Sequence, residues 1–223
     1  MRFRWLTILV VGVVTVALIL TFSRASMLAF AAGVFVIAAF RYRRFIPVMI
    51  IAGLLFFLLP QTQSYIERFG QAFTGSDLAT QMRLGEYGDA MRLISRYGIL
   101  GVGFTGTPDI DIYTDVASMY LIMANQIGII GLSIFVIAMI GVFVYGLRAW
   151  RTARHNPELD SIHLGYHAAL LTVLLNSAAD MYFFRIDFQS SVALFWLVVA
   201  LALASSRLAL ATKPTVANST PVR

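Results

Sequence analysis

The sequence predicts an all-α integral membrane protein of about six transmembrane helices, with one large extracytoplasmic loop that contains an amphipathic helix. Three observations carry this prediction. Of 223 residues, 59% are hydrophobic and 13% charged, whereas soluble domains carry roughly a quarter charged residues. The mean hydropathy is +0.80, and the apolar residues are gathered into runs that approach the roughly 20 residues a spanning helix needs. The basic residues stand in short clusters beside those runs, the pattern that orients a chain in a bilayer.

The runs lie at about 5–22, 26–40, 45–60, 119–147, 162–180 and 189–211, so residues 1–211 read as one membrane domain. The first follows a basic start, "MRFRW". It is longer than a secretory h-region and meets Arg24 instead of a small-x-small cleavage site, so it reads as a retained span. The second and third are short, and Pro60 closes the third. In the fourth, Asn125 and Gln126 precede Gly128 and Gly131, small residues that suit close helix packing. The fifth ends in Asn176, Ser177 and Asp180. After the sixth, "TKPTVANSTPVR" (212–223) has the composition of a disordered cytoplasmic tail.

Orientation follows from the arginines. Arg2, Arg4, "RYRR" (41–44), "RAWRTAR" (148–154), Arg207, Lys213 and Arg223 fall on one side, 11 basic residues against the acidic Glu158 and Asp160. The other side holds Arg24, Arg68, Arg83, Arg92, Arg96 and Arg185 against nine acidic residues. The first side is therefore cytoplasmic, with both termini on it. Arg24 falls in a tight extracytoplasmic turn, as do the loop 61–118 and the short loop 180–188.

Several chemistries are disfavoured. There is no cysteine, hence no disulfide framework or thiolate metal site. His163 and His167, four apart at the cytoplasmic start of the fifth run, lack a third ligand and read as interfacial residues; no metal or cofactor is expected. The net charge of +6 follows the membrane pattern, so no nucleic-acid partner is expected.

The long loop is too extended to be a plain connector. In "QMRLGEYGDAMRLISRYG" (81–98), Leu84, Tyr87, Met91 and Ile94 recur at helical spacing, predicting an apolar face laid on the membrane or the bundle. Asp89, Arg92 and Arg96 share another face, as a salt-bridged surface would. Gly85 and Gly88 weaken the helix, by about 1 kcal/mol each against alanine. In "GILGVGFTGTPD" (98–109), Gly98, Gly101, Gly103 and Gly106 permit sharp turns whose N–H groups can cradle phosphate oxygens, although no P-loop lysine follows. Asp109, Asp111 and Asp115 lack the glycine and distal glutamate of an EF-hand loop and read as a solvated acidic edge.

The order of these pieces is familiar. A "TFSRAS" turn is followed by a long loop with "RLGEYGDAMRLI" and "GILGVGFTG", then by "SMYLIMANQIGIIGL" opening a span. This resembles the O-antigen ligase/polymerase superfamily (Wzy-C-type enzymes) over about residues 20–135. Members have more spans than six, so the chain resembles the C-terminal half of one. Ligase-type members often place a His-Asn pair where Ala117 and Ser118 stand here, a departure that favours polymerase-like chemistry.

The resemblance implies a membrane glycosyl transferase in bacterial surface or exopolysaccharide assembly, in the inner membrane. Its implied partners are an undecaprenyl-pyrophosphate-linked glycan, the bilayer, a chain-length regulator and other assembly proteins. The leaving pyrophosphate needs fixed positive charge, and arginine's planar fork supplies it without titrating. Arg83, which matches the arginine leading the family's loop helix, is the first candidate; its plain alternative is an i,i+3 pair with Glu86. Arg24 is a second, against simple headgroup anchoring. Arg185 is a third, against an ion-paired position between Asp180 and Asp187. Asp115 is the candidate general base, against a helix N-terminal acid. Tyr120 matches the family tyrosine and orients substrate or anchors the span. Gly101 and Gly103 are candidate phosphate contacts. The competing functions are a non-catalytic fragment of such an enzyme, and a transporter or flippase-type component that binds lipid-linked sugars.

Overall fold

A computed structural model describes residues 2–21, 23–47, 49–51, 53, 78–104, 116–184 and 189–212. The chain is an all-α membrane protein. Its helices are α1 (Arg2–Leu20), α2 (Arg24–Arg41), α3 (Leu78–Tyr97), α4 (Met119–Ala153), α5 (Pro157–Asn176) and α6 (Gln189–Ala211), with a 3-10 turn at Arg43–Phe45. Residues 46–47, 49–51 and 53 are also helical; the rest of the expected third span and residues 213–223 of the expected tail lie outside the described residues. Among the described residues, three helices (α2, α4 and α6) are long and apolar enough to cross a membrane, and α1 adds a shorter apolar stretch, Trp5–Leu20. α5 is as long as a span, but Glu158 and Asp160 occupy its first turn.

The core lies where α4, α5 and α6 meet, built from Met119, Met123, Phe135, Met139, Leu170 and Phe195. α2 lies along α5, and Gly33 is what lets it approach: a Cβ there would collide with the Thr172 side chain. α5 runs antiparallel to α2 and α4. Its start is fixed by Asn156, whose side-chain oxygen accepts from the N–H groups of Glu158 (3.0 Å) and Leu159 (3.4 Å), with Pro157 at the first helical position and two acids in the first turn. Each of these favours a helix N-terminus.

Next to that start, the Asp160 carboxylate accepts from both the Arg41 guanidinium and Trp150 Nε1 (3.1 Å), joining α2, α4 and α5. Arg154 lies 3.8 Å over the Trp150 ring. α4 accordingly continues to Ala153, past the expected end at 147, because Ala149 and Ala153 are buried against Leu159 and Ala209. The histidines expected at the interface are inside: His163 is 3% exposed. His163 and His167 stack at 4.2 Å, and the Ser206 hydroxyl of α6 lies 3.2 and 3.4 Å from their Nε2 atoms. The imidazole edges satisfy a helix–helix contact that periodicity does not reveal.

Candidate active site at the Arg24 end

Opposite that network lies the end that holds Arg24 and Tyr120 and on which the loop helix docks. The chain breaks between α1 and α2, and Ser23 caps α2 (φ −81°, ψ 105°), its Oγ accepting from the Ser26 N–H at 3.4 Å. Ser26 Oγ lies 2.9 Å from Ser23 Oγ and donates to Asn176 Oδ1 at 2.9 Å, which ties the turn to the end of α5. Arg24 is thereby set at the first position of α2, half-buried. A cation there opposes the helix dipole, a loss of roughly 0.3–1 kcal/mol. It gains nothing from the helix and makes this end attractive to anions.

The start of α4 is joined to the end of α5. The Met119 N–H donates to the carbonyls of Ser177 (2.9 Å) and Asp180 (3.1 Å), and the Tyr120 hydroxyl donates to Leu174 O (2.8 Å). These bonds satisfy groups that helix ends leave open. Tyr120 thus has a fixed structural bond, with its ring 6.5 Å from Phe135.

α3 docks on this junction by a face that only partly overlaps the expected one, since Tyr87 packs against the docking core and Ile94 is half-buried. Ala90 and Leu93 are fully buried, whereas Leu84 and Met91 are each 59% exposed. The helix is rotated because polar groups hold it: Glu86 Oε2 accepts from the Ala117 N–H at 3.1 Å, and the Tyr87 hydroxyl reaches Ala117 O at 3.5 Å. The expected Asp89–Arg92 pair forms, at 3.3 Å. The Arg83–Glu86 pair does not, since Glu86 is held by Ala117. Arg83 is exposed and has no ion pair or hydrogen bond among the described residues.

After α3, the glycine segment threads into a break in α4. Gly128 has φ 71° and ψ 177°, which no helix contains. The carbonyls this frees are capped from the loop: Val102 N donates to Asn125 O (2.7 Å) and Gly103 N to Gln126 O (2.9 Å), while Ile129 N donates to Gly98 O (2.7 Å). Gly101 (φ 74°) comes so close that a Cβ would sit 2.6 Å from Asn125 O, and a Cβ on Gly128 would collide with the Ile99 backbone. The expected phosphate cradle is therefore not open at Gly101 and Gly103, because their N–H groups are bonded to Tyr97 O and Gln126 O. Irregular backbone of this kind is tolerated at membrane depth where protein covers it. Among the described residues, two polar side chains at the break are unsatisfied: Asn125, 3% exposed, leaves both Oδ1 and Nδ2 without a partner, and Gln126 leaves its Oε1 so.

Asp115 and Arg185 lie outside the described residues. Their chain neighbours Val116 and Phe184 meet in one small core with Ala90 and Ile122. A cavity of about 160 Å³ opens beside it, lined by Phe104, Met119, Met123, Phe184, Phe195 and Trp196 among others. A larger one, about 270 Å³, lies towards the Arg41 end, and none of the described candidate residues lines it. Sequence reasoning did not select Glu86, Ser26 or Asn176 as positioning groups. Glu86 carried a signal, as the acid nearest Arg83 on its helix; Asn176 had none, because its partner is 150 residues away.

A family model described as O-antigen ligase matches residues 8–136. That stretch covers most of α1, all of α2 and α3, and the broken half of α4, and leaves out the end of α5 that α2 and α4 bond to. No curated protein and no solved structure gives a match.

Proposed function

Since the chain belongs to the O-antigen ligase family, we propose that it is a membrane glycosyl transferase that polymerises or transfers undecaprenyl-pyrophosphate-linked glycans, working at its extracytoplasmic Arg24 end. The observation that carries this reading is Arg83: an exposed guanidinium, unpaired among the described residues, on a helix whose position is fixed by Glu86 and Tyr87. A guanidinium left without a partner on a docked helix suits a ligand that brings its own negative charge.

In the proposed reaction, a hydroxyl of the acceptor glycan attacks the anomeric carbon of the donor. The bond from that carbon to the lipid pyrophosphate breaks, and the pyrophosphate leaves on its lipid carrying the electron pair. Arg83 and Arg24 stabilise the charge that develops on it; Arg185 is a third cation in the same role. Asp115 accepts the proton of the attacking hydroxyl. Tyr120 keeps the α4–α5 junction in register, and Gly101 and Gly103 fix the loop against α4 rather than contacting phosphate.

The test is turnover in proteoliposomes that contain the chain and undecaprenyl-pyrophosphate-linked glycan. Release of undecaprenyl pyrophosphate together with a longer glycan is expected, and Asp115→Asn should slow both. A chain that binds the lipid-linked glycan but releases no undecaprenyl pyrophosphate would instead be a non-catalytic binder.

A further inference from the structure

The larger cavity takes no part in the proposed chemistry. It is a groove between α2 and α4 floored by α5: Val36 and Phe40 form one wall, Phe143, Leu147 and Trp150 the other, and His163 and His167 lie along the floor. It measures about 270 Å³. Phe40 and Leu147 on its rims are 46% and 60% exposed, so it opens sideways, where a bilayer lies against a spanning bundle. Phe40 and Trp150 meet edge to face at 5.0 Å and narrow it towards the Arg41 end.

Cations stand at that narrowing. Arg154 lies 3.8 Å over the Trp150 ring with its guanidinium exposed. Arg151 is one helical turn beyond Leu147 on the same stripe of α4, and it too is exposed. The acids nearby do not neutralise them. Asp160 is engaged by Arg41 and Trp150, and Glu158, in the first turn of α5, makes no ion pair with either arginine among the described residues. An apolar slot open to the bilayer with uncompensated guanidinium groups at its end has the two features of one ligand class.

We propose that this groove binds an anionic phospholipid, with an acyl chain between α2 and α4 and the phosphate on Arg151 and Arg154. Phosphate suits guanidinium groups that have no carboxylate partner, and basic pockets between spanning helices select anionic headgroups. The site is separate from the Arg24 end, so it does not depend on the proposed reaction.

Trp150 provides the readout. In a Trp5→Phe/Trp196→Phe chain it is the sole tryptophan, and bilayers with brominated acyl chains will quench it from the groove. Brominated phosphatidylglycerol should reach half-maximal quenching at a mole fraction about thirtyfold lower than brominated phosphatidylcholine, roughly what two basic residues give a net anionic over a zwitterionic headgroup. Arg151→Gln/Arg154→Gln should abolish that preference, and Val36→Phe, which fills the slot, should lower the maximal quenching by phosphatidylglycerol. Equal quenching by the two lipids would overturn the proposal. So would a preference that survives Val36→Phe at full amplitude, since the headgroup would then bind without a chain in the groove. Each variant is compared at unchanged helical circular dichroism, so that loss of the fold is not scored as loss of the site.

Discussion

The two ends of the bundle use charge in opposite ways. At the Arg41 end, the buried carboxylate of Asp160 is closed off by a guanidinium and an indole N–H, and the three groups hold three helices together. At the Arg24 end, neutral groups hold α2, α4 and α5 together (Ser26 on Asn176, Tyr120 on Leu174 O, Met119 N–H on Ser177 O), and the carboxylate that docks α3, Glu86, meets a backbone N–H instead of a cation. Arg83 is left exposed there, and unpaired among the described residues. A guanidinium that closes a network is a structural part, and replacing it costs stability. One that closes nothing costs little stability to remove, so its value must lie in what it meets from outside.

That comparison can be broken by substitution, starting where the loss should be largest. Asp160→Ala leaves Arg41 and Trp150 without an acceptor at the junction of α2, α4 and α5. It should destabilise the detergent-solubilised chain by about 3 kcal/mol, the scale for removing one partner of a buried pair. Arg41→Ala/Asp160→Ala should lose less than the sum of the two single changes, as coupling in one network requires. A melting curve for each variant gives both answers.

Gly128→Ala should come next. It forces a side chain into φ 71° against the Ile99 backbone; the conformation alone costs about 1–2 kcal/mol. The collision should also loosen the 98–103 loop, which faster amide exchange at Val102 and Gly103 would report. Ser23→Ala removes the cap of α2 and half of the hydrogen-bonded serine pair, for about 1 kcal/mol. Arg83→Ala should change stability least, within about 0.5 kcal/mol, as at an ordinary surface position. If Arg83→Ala destabilised the chain as much as Asp160→Ala, the contrast between the ends would fail.

Much of this was legible in the sequence. The bounds of α6 match the expected run, 189–211, and α2 extends the expected 26–40 by two residues at its start and one at its end. The loop helix exists, with its Asp89–Arg92 pair. These are local properties, set by hydropathy and by spacing along one helix. What the sequence hid depends on partners far along the chain. α3 is turned part-way from the expected Leu84–Tyr87–Met91–Ile94 face, keeping Tyr87 inward but leaving Leu84 and Met91 exposed, because Glu86 bonds to Ala117, about thirty residues away. Gly128 looked like a packing glycine, since nothing near it announces that the 98–103 segment will enter the helix there. His163 and His167 looked interfacial because their hydrogen-bonding partner, Ser206, belongs to another helix. Of the candidate site, Arg24, Arg83 and Tyr120 were found by position in the family pattern, and the groups that fix them were not.

The central claim is that Arg83 serves a substrate rather than the fold. Its most direct test is glycan production in a host that lacks its own polymerase and ligase, comparing the native chain with Arg83→Ala at equal membrane level and equal melting temperature. The account predicts long or transferred glycan with the native chain, and its loss with Arg83→Ala as undecaprenyl-linked precursor accumulates. Undiminished product from Arg83→Ala would contradict it, and the role of the exposed guanidinium would have to be sought elsewhere.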